Sequence, residues 1–72
     1  MFRNLEAEQA RNGMTNQQVA DVIKISRVSY ENKKRTGKFS LSEIKLLCDY
    51  FNCTFEYLFE TAENTNKNTK TA

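Results

Sequence analysis

The chain has 72 residues, a net charge of +2, and neither histidine, proline nor tryptophan. That length admits one small domain, since domains typically run to about 100–150 residues, and a chain of about 60 residues buries only about 60% of its unfolded surface. Without histidine the commonest general base and metal ligand is missing. The two cysteines, Cys48 and Cys53, are too few for a disulfide scaffold or a zinc site, so no catalytic, cofactor or metal site is expected.

The opening residues, Met1 to Glu6, carry charges where a signal peptide needs an apolar run of about 7–15 residues. No stretch approaches the roughly 20 apolar residues of a membrane span. The expectation is a soluble, reduced, cytoplasmic protein. Asn52-Cys53-Thr54 matches a glycosylation sequon that has no consequence in that compartment.

A first helix is predicted from about Phe2 to Asn12, with Phe2, Leu5 and the aliphatic stem of Arg11 facing inward. Gly13 stands where a left-handed cap residue is favoured. Thr15 opens a second helix, and Gln18 three residues later completes a capping box. Val19, Ala20 and Ile23 share one face of it. Lys24-Ile25 is a tight connector. Ser26 is an N-cap for a third helix from Arg27 to about Arg35, anchored by Tyr30 and otherwise polar. Thr36-Gly37-Lys38 stops it.

Ser40 and Glu43 form a second capping box. Leu41, Ile44, Leu47, Cys48 and Phe51 follow at helical spacing, the clearest amphipathic pattern in the chain. Asn52-Cys53 is a turn, and Thr54 caps a last short helix carrying Phe55, Leu58 and Phe59. No segment alternates long enough for a strand. The fold class is therefore all-α, a bundle of five short helices over residues 1–60. Residues 61–72 hold nothing apolar larger than alanine and read as a flexible polar tail.

Charge is unevenly spread. Residues 24–38 carry Lys24, Arg27, Lys33, Lys34, Arg35 and Lys38 against Glu31 alone, a local +5, while the remainder is −3. One basic block on a mildly acidic body is the asymmetry of a polyanion binder. It falls on the third helix. Two short helices joined by a three- or four-residue turn make the helix-turn-helix unit, whose second helix enters the DNA major groove.

The run from Gly13 to Arg27, GMTNQQVADVIKISR, resembles the core of the Cro/C1-type (XRE-like) helix-turn-helix family, with its pattern G-L-T-Q-x-x-L-A-x-x-L-G-I-S. Phe39 to Ile44 and Asn52 to Phe59 resemble that family's F-T-L-x-E-I and N-V-S-L-D-Y-L-F segments. The resemblance covers residues 1–60 and is greatest to small phage and prophage regulators. It departs in three places. Lys24 replaces the turn glycine, Asn16 replaces the usual glutamine, and Lys34-Arg35-Thr36-Gly37-Lys38 replaces an L-N-G-K loop.

The resemblance implies a lambda-repressor-like domain that binds double-stranded DNA. By position, Asn16 and Gln17 meet a phosphate at the start of helix two. Ser26, Arg27, Val28 and Asn32 face base edges. Arg27 suits guanine N7 and O6, Val28 a thymine methyl, and Asn32 adenine N6 and N7. Lys33, Lys34, Arg35 and Lys38 hold the backbone without reading sequence.

Plainer readings stand beside these. The basic block can be a solvated face, Arg27 can meet a phosphate, and Val28 can pack on helix two. Tyr30 fits the core better than a stacking platform. Phe2, Phe39, Phe51, Phe55 and Phe59 fit core positions. Tyr50 and Tyr57 can border a weak homodimer contact. Cys48 fits a buried small hydrophobe, and Cys53 an exposed turn. Asp49, Glu56 and Glu60 fit a solvated surface. A second function of another class is a protein-interaction module on the same fold, an antirepressor or antitoxin-like partner. An enzyme is not expected. There is no nucleophile–base pair, and the chain is short to line a pocket of about 300 Å³.

Overall fold

The computed structural model describes residues 1–61. Five helices follow one another, α1 (Arg3–Arg11), α2 (Asn16–Val22), α3 (Arg27–Thr36), α4 (Leu41–Phe51) and α5 (Phe55–Leu58), with no strand among the described residues. This is the all-α bundle expected from the sequence. Beyond Thr61, the tail lies outside the described residues.

The caps explain where each helix begins. Thr15 Oγ1 accepts from the Gln18 backbone N–H at 3.1 Å, and the Gln18 side chain accepts from the Thr15 N–H at 2.8 Å. Ser40 and Glu43 repeat the reciprocal pair at 3.2 and 2.9 Å. Ser26 and Thr54 cap α3 and α5 in the simpler one-bond form. Each bond satisfies a backbone donor that the first helical turn leaves without a partner. α1 has no side-chain cap. Its N-cap residue is Phe2, which is buried and holds the helix start by packing instead.

Left-handed residues mark all four connections, beginning with Gly13 at φ 63° after α1, as the sequence placed it. Gly37 closes α3 at φ 81°, and Asn52 closes α4 at φ 56°. Lys24, where the family pattern has glycine, adopts φ 64° in the turn between α2 and α3. A side chain with a Cβ is strained there, so the helix-turn-helix geometry is kept at the expense of backbone strain of about 1 kcal/mol.

The core joins all five helices: Leu5 from α1, Val19 and Ala20 from α2, Tyr30 from α3, Leu47 and Phe51 from α4, and Leu58 from α5. Ile23 and Phe2 complete it from the flanking turns. Ala20 is fully buried on α2, the helix that packs most extensively on α3. Phe59, just after α5, packs back on the start of the chain. Its ring lies 5.2 Å from Phe2, edge on, and 5.5 Å from Phe39. Such tilted aromatic contacts are favourable beyond the area they bury.

Three inward assignments are corrected. Arg11 does not lay its stem on the core. Its side chain is 66% exposed and pairs with Glu8 one turn earlier. Leu41 is 85% exposed. At about 100° per residue it stands roughly 90° from the middle of the stripe made by Ile44, Leu47 and Phe51, at the first residue of α4. Phe55 is 53% exposed, because a helix of four residues has only one side to bury and Leu58 takes it. Phe55 stacks instead on Phe59 at 5.6 Å.

Cys48 and Cys53 are both free and half-buried. Burial pushes both thiols up, away from the reactive thiolate. Cys53 is not the exposed turn thiol of the sequence reading, since Sγ donates to the Phe51 carbonyl at 3.3 Å.

Candidate nucleic-acid interface

The face of α3 follows from helical spacing. Tyr30 points into the core and is fully buried. Val28, Asn32 and Arg35 lie on the opposite side at spacings of four and three, and all three are exposed. Val28, 56% exposed, does not pack on α2. Arg27 and Glu31 flank this face on the side towards α2. Lys33 and Lys34 flank Tyr30.

Two polar residues that the sequence reading passed over lie inside α1, and one of them, Gln9, organises the site. Glu8 and Gln9 are buried, each one turn beyond Leu5 on the inner side of α1. Gln9 Oε1 accepts from the Tyr30 hydroxyl at 2.8 Å. Its amide nitrogen donates to the Met14 carbonyl at 3.1 Å and to Asn16 Oδ1 at 2.9 Å. Burial pushes the Tyr30 phenol well above its ordinary range, and Glu6 adds to the effect, so it stays a neutral donor. The signal for Gln9 was present: Leu5, Glu8 and Gln9 share one helix face, and a buried tyrosine hydroxyl needs an acceptor.

From Gln9 the network reaches the surface. Asn16, the first residue of α2, donates through Nδ2 to Glu31 Oε2 at 3.0 Å. The same Glu31 oxygen takes Nη1 of Arg27 at 2.9 Å, one turn earlier on α3. The bonds from Asn16 and Arg27 hold the Glu31 carboxyl below the usual carboxylate range. The first residues of the two helices of the motif are thus joined through one carboxylate oxygen.

The remaining basic residues differ in freedom. Lys34 is tied down. Its ammonium lies 2.9 Å from Glu6 Oε2 and 2.9 Å from Asn16 Oδ1, and 4.7 Å above the Tyr30 ring. Only 11% of its side chain is exposed. An apolar residue often occupies this position in the family pattern, and here the lysine stem fills it while the charge finds partners. Lys33 pairs with Glu43 at 3.2 Å and reaches the Lys38 carbonyl at 3.4 Å. Glu43, though partly desolvated, is held below the usual range by the Ser40 backbone and Lys33. Arg35 and Lys38 are exposed. Arg35 donates to Asn32 Oδ1 at 2.8 Å, which aims that amide.

Ser26 is exposed and uses Oγ as the α3 cap, accepting from the Ser29 N–H at 3.1 Å. Gln17, also exposed, donates to Asp21 at 2.9 Å. The ten residues expected at DNA therefore fall into two groups. Ser26, Arg27, Val28, Asn32, Arg35, Lys38 and Gln17 are exposed. Asn16, Lys33 and Lys34 are half-buried ties between helices.

A groove of about 390 Å³ opens beside α3, lined by Met1, Glu6, Asn16, Glu31, Lys34 and Arg35. The expectation that so short a chain lines no space of this size is therefore not met. Its lining is mostly charged, and both of its carboxylates are already paired, Glu6 with Lys34 and Glu31 with Arg27. No described helix is long and apolar enough to cross a membrane.

No curated protein and no solved structure matches the chain. A family model does, over residues 4–63, and its span takes in α2 to α5, all of α1 but Arg3, and the face of α3 just described. The chain belongs to the family of Cro/C1-type helix-turn-helix DNA-binding domains.

Proposed function

We propose that this protein is a sequence-specific regulator of transcription, a repressor of phage or prophage type acting in the cytoplasm, that reads the DNA major groove with α3. The observation that carries the reading is the exposed face of α3, where Val28 and Asn32 stand between two arginines, Arg27 and Arg35. Apolar, amide and guanidinium groups together on one helix face are the set that discriminates thymine, adenine and guanine edges.

In this reading Ser26, Arg27, Val28 and Asn32 touch bases. Gln17, Arg35 and Lys38 meet phosphates. Asn16, Lys33 and Lys34 also lie against the backbone, but each must share its polar atoms with the partners it already has. A bound repressor would act by occupying its operator.

The protein pairs weakly with a second copy through α4 and α5, where Leu46, Tyr50, Phe55 and Tyr57 are exposed. The operator is then roughly palindromic, with half-sites about 10 bp apart or a multiple of that. The same exposed side chains, with Leu41, favour a second reading, a protein-interaction module on this fold.

Selection of bound duplexes from a random library at fixed near-physiological salt tests the proposal. The expected result is an enriched two-fold symmetric motif. A single enriched half-site would keep the readout and remove the dimer. No enrichment from folded protein, with salt-insensitive capture of a protein partner, would replace the reading with the second one.

A further inference from the structure

Glu31 is the one acid in the basic block of residues 24–38. A carboxylate on a helix that approaches DNA opposes the attraction of phosphates. Here it is not idle. Its Oε2 takes Nη1 of Arg27 at 2.9 Å and Nδ2 of Asn16 at 3.0 Å. Asn16 cannot turn away, because its Oδ1 is held by Gln9 and by Lys34, each at 2.9 Å. Gln9 is anchored in turn by the buried Tyr30 hydroxyl at 2.8 Å. An unbroken set of hydrogen bonds thus runs from the core to the guanidinium of Arg27.

The physical consequence concerns where Arg27 can point. An unrestrained arginine satisfies its donors on a phosphate as readily as on a base edge. The guanidinium is a rigid planar fork, so holding one nitrogen narrows the directions in which the others can point. We infer that Glu31 is a specificity-determining positioning residue: it holds Arg27 for a base edge and away from neighbouring phosphates, at some loss of sequence-independent affinity. This rests on the DNA-reading function proposed above.

The experiment compares wild type, Glu31→Gln, Glu31→Ala, Arg27→Ala and the Arg27→Ala/Glu31→Ala double variant. Each is titrated against the selected duplex, its single-base-pair variants and a random duplex. Glu31→Ala is expected to bind random duplex several-fold more tightly, and to lose about tenfold discrimination at the base pair read by Arg27 while keeping it elsewhere. Glu31→Gln, which keeps an acceptor without the charge, falls between, and carries the test if the alanine variant does not fold. The double variant is expected to lose no more discrimination than Arg27→Ala alone.

A uniform weakening on every duplex, with the base preferences unchanged, would mean that Glu31 only supports the fold and would overturn the inference. So would unaltered discrimination in Glu31→Ala beside a selective wild type. A wild type with no base preference would overturn the DNA-reading function itself, and this inference with it.

Discussion

The Tyr30 hydroxyl donates to Gln9 Oε1 across 2.8 Å, joining the buried face of α3 to α1. Both residues are buried, so neither polar group has water to fall back on. Tyr30→Phe removes the donor and strands the Gln9 oxygen. An unsatisfied buried acceptor costs about 1–3 kcal/mol. In a domain of this size each 1 kcal/mol lowers Tm by roughly 4–8 °C. Thermal unfolding followed by circular dichroism should show a drop of that order. An unchanged Tm would mean that Gln9 finds another partner.

Lys24→Gly should work in the opposite direction. Lys24 holds φ 64°, a region glycine enters without strain. Relief of that strain is partly offset by the greater freedom of glycine in the unfolded chain. The expected net gain is at most about 0.5 kcal/mol, read as a higher midpoint in urea with an unchanged slope. A loss of stability would show that the turn relaxes around the lysine.

The Glu31 carboxyl should titrate below its ordinary value near 4.5, because the bonds from Asn16 and Arg27 favour the charged form. A folded-state pKa that is depressed contributes stability above the unfolded value, and that contribution is lost as pH falls through the folded value. The pairing is therefore intact at neutral pH and fails only in acid. Carbon-13 shifts of the Glu31 carboxyl against pH check this directly, and Arg27→Ala should move the midpoint upward. A midpoint at or above 4.5 in the wild type would contradict the bonding described here.

Arg27→Ala and Lys38→Ala should separate readout from positioning, since Lys38 is exposed and its side chain aims no base-reading group. The first is expected to cost about 1–3 kcal/mol on the selected duplex and to relax preference at one base pair. The second should weaken binding to all duplexes alike and reduce the salt slope by about one phosphate contact. Binding curves at several salt concentrations measure both. Matching behaviour of the two variants would remove the assigned division of labour.

Local signals carried most of the fold. Capping boxes at Thr15 and Ser40, the caps at Ser26 and Thr54, and the glycine at 37 are short-range chemistry, and each appears where the sequence placed it. Two of the three misplaced residues share a cause. Leu41 and Phe55 open their helices, where the first turn has fewer neighbours and periodicity alone overstates burial. At the interface the position of α3 was legible from its charge and register. The pairing was not. Which lysines are free depends on Glu6 and Glu43, which lie outside the block on α1 and α4 and come beside Lys34 and Lys33 only when the helices pack.

The central claim is that the outer face of α3 meets double-stranded DNA. Amide chemical-shift mapping of isotope-labelled protein, titrated with the duplex that selection enriches or, failing enrichment, with random duplex, tests it most directly. The account predicts that the large shifts fall on Asn16 and Gln17 and on Ser26 to Arg35, with Leu46 to Phe59 little affected by the DNA itself. Shifts concentrated on Tyr50, Phe55 and Tyr57 instead, with α3 silent, would contradict it.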